Sequence, residues 1–118
     1  MSAHHERVPG VALTCLTLVL VKLALALAGF GRTLIAARWL LRHRPARAAA
    51  AAQLAAVSGR VALVAAFFPG RALCLEQSTV IWLLLRARGI EADLRLGVQP
   101  YPWGAHAWVE HRGEPVNE

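Results

Sequence analysis

The stretch from Arg71 to Gly89, RALCLEQSTVIWLLLRARG, limits the fold more than any other part of the chain. Pro69-Gly70 interrupt what precedes it, Val80 to Leu85 are apolar with no polar face, Arg86 and Arg88 occupy the last turn, and Gly89 supplies a C-terminal stop. A helix that is apolar on every side has to be surrounded by other elements, so the pattern predicts a core helix. Cys74 falls in its first turn, where unpaired backbone N–H groups and the positive end of the helix dipole favour negative charge. Because the thiolate is the nucleophilic form of cysteine, Cys74 becomes the first candidate for chemistry.

With 118 residues there is room for one core, and a hydrophobic fraction of 57% is ample to fill it. Charge is divided unevenly. Residues 1–70 hold eight basic side chains against Glu6 alone, a balance of +7, whereas residues 71–118 hold five against six acids, a balance of −1. Cys15 and Cys74 cannot form a disulfide framework, and Cys15 sits in an apolar run that suits an inert buried thiol, so a reducing, cytoplasmic compartment is expected. Two cysteines and five scattered histidines give no zinc spacing, and there is no glycine-rich phosphate loop or dinucleotide fingerprint. No metal and no cofactor is expected.

The N-terminal half reads as helical. Val11 to Phe30 is broken only by Thr14, Thr17, Lys22 and Gly29, which is long enough to span a bilayer and imitates a signal peptide as far as Ala26-Leu27-Ala28. Lys22 opposes both, since a lysine at the centre of a spanning helix costs roughly 2.5–3.5 kcal/mol. The expectation is a core helix, with a membrane helix over 11–30 as the alternative. Gly31 to Arg47 gathers Arg32, Arg38, Arg42, Arg44 and Arg47 around Trp39, Leu40 and Leu41, which suits a solvated helix face or, alternatively, an anionic or membrane surface. Pro45 can open a further helix over Ala46 to Phe68, in which Leu54, Val57, Val61 and Val64 recur at helical spacing. The arginines lack interleaved readout residues, so nucleic acid is not expected as a partner.

After Gly89 the period changes from 3.6 to 2. Ala92, Leu94, Leu96 and Val98 alternate with Asp93, Arg95 and Gly97 as in a half-buried strand; Pro100, Pro102 and Gly104 make a turn; and Ala105 to His111 alternate again before an Arg112-Gly113 hairpin. His106, Trp108 and Glu110 then share one strand face, with Ala105, Ala107 and Val109 on the other. A two-residue loop pairs His111 with Glu114 and puts Glu118 opposite Ala107, one position short of His106; a three-residue loop or a bulge would bring it into register. A cysteine at a helix start, a strand histidine and a neighbouring acid are the parts of a thiol acyl-transfer site: Cys74 as nucleophile, His106 as base, Glu118 as the group that orients the imidazole. Asn117 and Glu110 are substitutes for the last role.

The run CLEQSTVIWLLLRARGIEADLRLGV followed by AHAWVEHRGEPVNE resembles the B2 proteins of lasso-peptide biosynthesis, the family of the C-terminal, catalytic half of the microcin-processing B protein. The resemblance covers about Pro69 to Glu118. It implies an α+β fold, with N-terminal helices (1–68) followed by a transglutaminase- or papain-like core (69–118) in which a Cys-bearing helix packs on a small antiparallel sheet. It also implies a cysteine peptidase that removes the leader from a lasso precursor peptide, using Cys74, His106 and the residue at Glu118. The family carries Asp where this chain has Glu118 and continues further, so the core is expected to be truncated at its C-terminus. Expected partners are the precursor, a leader-binding B1 protein of the winged-helix (RRE) type and the ATP-dependent lasso cyclase. Two rival readings are a transglutaminase-like acyl transfer to an amine and a non-catalytic, membrane-attached scaffold of the maturation complex.

Overall fold

The computed structural model describes residues 9–67, 74–100 and 103–117. Among these residues four helices, α1 (Val11–Ala28), α2 (Phe30–Leu41), α3 (Ala51–Phe67) and α4 (Cys74–Ala87), precede three strands, β1 (Asp93–Pro100), β2 (Trp103–His111) and β3 (Glu114–Pro115). The strands form one antiparallel sheet in the order β1-β2-β3. The expected α+β order of helices first and strands last is what the chain adopts.

The apolar run at 80–85 makes α4 the centre. Ser78, Thr79, Val80, Ile81, Trp82, Leu84 and Leu85 are all buried, because α1, α2, α3 and both long strands pack around this helix. Its C-terminus is a Schellman motif: the Ile90 N–H donates to the Leu85 carbonyl at 3.0 Å and the Gly89 N–H to the Arg86 carbonyl at 2.9 Å. Gly89 has φ 75°, and a Cβ there would stand 2.8 Å from Cγ of Pro45, so both backbone and space demand glycine.

Helix α3 buries Val57, Val61 and Val64, as their spacing predicts, together with Gln53. It starts at Ala51 rather than Ala46. The preceding residues are taken by tertiary pairing: the Arg47 N–H donates to the Gly89 carbonyl at 2.9 Å and the Glu91 N–H to the Arg47 carbonyl at 2.8 Å. Arg86 reinforces this join by donating to the carbonyls of Pro45 at 2.8 Å and Arg44 at 3.1 Å. Alanine-rich sequence favours helix only weakly, and these non-local bonds override it.

The apolar run of 11–30 divides at Gly29 (φ 85°) into α1 and the start of α2. Helix α1 is apolar on two sides. Thr14, Leu18 and Val21 face the core, while Leu16, Leu20, Leu23 and Leu27 are exposed. Lys22 lies at the edge of the buried stripe, where its Nζ meets Oε1 of Glu76 on α4 at 2.9 Å. Among the described residues α1 is the helix long and apolar enough to cross a membrane, yet only 17% of it is buried in the fold.

Strand β2 begins at Trp103 and pairs with β1 from Pro100↔Trp103 to Asp93↔Glu110, so Trp103 and Gly104 belong to the strand instead of the expected turn. The rest of the expected turn, Tyr101 and Pro102, lies outside the described residues. At the other end Arg112 (φ 52°) and Gly113 (φ 85°) form a two-residue hairpin turn. Its register, His111↔Glu114 and Glu110↔Pro115, is the one expected for that loop length.

Candidate active site

Cys74 is the first residue of α4 and is exposed. One turn further, the buried Ser78 hydroxyl donates to the Ala107 carbonyl of β2 at 3.0 Å, which ties the start of the helix to the strand that carries His106. Asn117 completes the clamp. Its Nδ2 donates to Ser78 Oγ at 3.0 Å, and its Oδ1 accepts from the Val109 N–H at 2.8 Å. Cys74 and His106 border one cavity of about 420 Å³, whose other walls are Phe30, Leu75, Leu96, Gly97 and Ala107. The lining is almost wholly apolar.

Alternation along β2 sorts its side chains as expected. Ala107 and Val109 are buried, and the opposite face is a connected row. The His106 ring stacks on Trp108 with centroids 5.4 Å apart and planes at 23°. Trp108 Nε1 donates to Glu110 Oε2 at 3.0 Å, and Arg95 Nε on β1 reaches Glu110 Oε1 at 3.2 Å. The bond from Trp108, and then the charge of Arg95, hold the Glu110 carboxyl below the usual carboxylate range. Gly97 pairs directly with His106. A Cβ there would lie 3.1 Å from Cζ3 of Trp108, so glycine is what lets the indole lie flat across the strand pair.

Glu118, the acid expected to orient His106, lies outside the described residues. Of its two substitutes, Asn117 hydrogen-bonds Ser78 and the Val109 N–H, and Glu110 hydrogen-bonds Trp108 and Arg95. The strand register also departs from a simple continuation. The Val116 N–H still donates to the Val109 carbonyl at 2.8 Å, but the Val109 N–H is taken by the Asn117 side chain instead of the Val116 carbonyl. Cys15 is partly buried against the core on α1. Among the described residues no group of three metal-binding side chains occurs.

Several residues that shape the site were not singled out from sequence. Phe30 enters the cavity wall from the N-terminal half, and Leu96, expected on a half-buried face, is 56% exposed because it lines the open cleft. His111 is buried: Nε2 accepts from the Ala49 N–H at 3.3 Å, which makes Nδ1 the protonated nitrogen, donating to the Glu91 carbonyl at 2.7 Å. It shares the parity of Ala107 and Val109, a signal from which its inward position could have been read.

A helix-borne cysteine packed against an antiparallel sheet is matched by a family model. The model, described as the transglutaminase-like superfamily, aligns with residues 17–118. The chain belongs to that superfamily. The match takes in most of α1, all of α2 and α3, and the Cys-bearing core. A stretch of 45 residues is 38% identical to the microcin J25-processing protein McjB of Escherichia coli, covering 38% of this chain and 22% of that protein. The chain thus matches under a quarter of that relative's length. No solved structure matches the chain.

Proposed function

We propose that this chain is a cysteine peptidase that removes the leader from a lasso precursor peptide. The observation that carries the reading is Cys74, at the start of a buried helix, bordering one apolar cleft with the strand residue His106; similarity to a microcin-processing protein supplies the substrate class. In this reaction the Cys74 sulfur attacks the scissile carbonyl. The peptide C–N bond breaks as a thioester forms, and His106 passes the thiol proton to the departing amine of the core peptide. Water, deprotonated by His106, then releases the leader as a carboxylate and regenerates the thiol. Glu118 is the proposed third member, orienting the imidazole. A separate B1-type protein presents the leader, and an ATP-dependent cyclase consumes the freed amine.

The test is mass analysis of precursor incubated with the purified protein, with and without a B1-type partner. Cys74→Ser is expected to lower leader release by about a thousandfold or more, and Cys15→Ser to leave it intact. His106→Ala should be as damaging as Cys74→Ser, with Glu118→Gln milder. Equal loss from both cysteine variants would remove Cys74 from its role, and an amine-adduct mass in place of cleavage would assign acyl transfer instead.

A further inference from the structure

The groove between α1 and α2 is a second apolar cavity, of about 380 Å³, bordered by Leu20, Ala24, Ala36, Leu40 and Leu83 with Arg32 at its rim. Beyond it the apolar surface continues in both directions. On α1 Leu16, Leu23 and Leu27 are exposed, Leu27 at 85%; on α2 Leu40 is 71% and Trp39 61% exposed. Arg42 lies over the Trp39 ring, 3.9 Å from its centroid, and Arg32 and Arg38 are exposed on the same helix. From Glu6 to Glu76 the sequence contains no acidic residue, and Glu76 itself is turned inward to Lys22.

We propose that the outer faces of α1 and α2 dock in the plane of an anionic membrane surface. Leucines enter the acyl boundary, and Trp39 with the α2 arginines sits among phosphate headgroups. This is the composition of an interfacial helix pair, with an apolar face rimmed by arginine and tryptophan. A spanning arrangement is disfavoured by the same structure, because it would strip Leu18 and Val21 from the core and separate Lys22 from Glu76. A second copy is disfavoured by charge, because two such faces bring arginine against arginine. Phe30, directly after the α1–α2 junction, lines the catalytic cleft, so a docked protein carries that cleft beside the membrane.

The experiment is flotation of the full chain with vesicles of phosphatidylcholine alone or with roughly one-third phosphatidylglycerol, at low and high salt. Binding is expected on the anionic vesicles, weakened by salt and released by carbonate. Arg32→Ala and Arg38→Ala are each expected to weaken it about fivefold. Leu27→Glu and Leu40→Glu, at positions exposed enough to preserve the fold, should abolish it, with circular dichroism unchanged. Absence of flotation on anionic vesicles overturns the proposal, as does flotation unaffected by either glutamate variant. Retention through carbonate would overturn it in favour of a spanning helix. A dimer or a protein complex that Leu27→Glu dissociates, with no vesicle binding, would assign the face to a protein partner.

Discussion

Asn117 holds three parts of the site together with one amide. Its carbonyl oxygen takes the Val109 N–H that a longer β3 would have bonded, and its NH₂ group meets Ser78 on α4. Asn117→Ala would leave a backbone donor and a buried hydroxyl short of a partner, which costs about 1–3 kcal/mol. A thermal melt should show the loss, with Asn117→Asp intermediate because it keeps the acceptor but not the donor. An unchanged melt for Asn117→Ala would mean that the clamp contributes nothing. Counting residues from the Arg112-Gly113 turn correctly brings Asn117 back beside β2. What the count cannot supply is the direction of its side chain, which depends on Ser78, 39 positions away in the chain. Glu110 is similar: its strand face was legible, its partners were not. Its depressed carboxyl contributes stability that is complete above the ordinary carboxylate range and is lost as pH falls through the lower folded value. Acid titration followed by tryptophan fluorescence should therefore be shallower in Glu110→Gln than in the parent below about pH 4. Superimposable acid limbs would show that this ion pair has no linkage to folding.

At the scale of elements, the local patterns held and the non-local ones intervened. The ends of α4, the Val57, Val61 and Val64 stripe of α3, and the Arg112-Gly113 hairpin were each written in a few adjacent residues. The start of α3 was not, since Arg47 was drawn into a bridge with Ile90. Nor was the partner of Lys22. In sequence that lysine looks like a flaw in an apolar helix; in the fold it joins α1 to the first turn of α4, two residues from Cys74, with the two side chains 27% and 17% exposed. A pair this sheltered is worth more than a surface ion pair, and its coupling should be about 1–2 kcal/mol. A double-mutant cycle of Lys22→Met and Glu76→Gln isolates it. Each single change should destabilise more than its share of the double change, because it removes the opposite charge beside the other sheltered group. Strict additivity across the cycle would mean that α1 and α4 are joined by their apolar contacts alone.

The whole molecule is built so that one helix has two apolar faces, one packed inward and one exposed. The inner face of α1 closes the core over α3 and α4, and its outer face remains exposed beside α2. Sequence showed the length and the apolarity of 11–30, but a helix apolar on both sides has no periodicity to say which residues turn inward. That choice was made by the stripe of α3 and by Glu76, neither of which is near in the chain. Deleting residues 1–28 tests the inner face. Leu18 and Val21 are 0% and 3% exposed, and burying each contributes about 1.5–3 kcal/mol. Together with the Lys22–Glu76 pair, that loss approaches the 5–15 kcal/mol that typically separates a folded domain from its unfolded chain. The deletion should also uncover Val57, Val61 and Leu85 and remove the support beneath Phe30, which forms one wall of the cleft bordered by Cys74 and His106. The shortened chain is therefore expected to lose its cooperative melt and to bind a hydrophobic dye, whereas Leu27→Glu in the full chain should keep both the melt and the native spectrum. A shortened chain that still melts cooperatively would show that α2, α3 and α4 close the core by themselves, and α1 would then be an attachment to the fold instead of part of it.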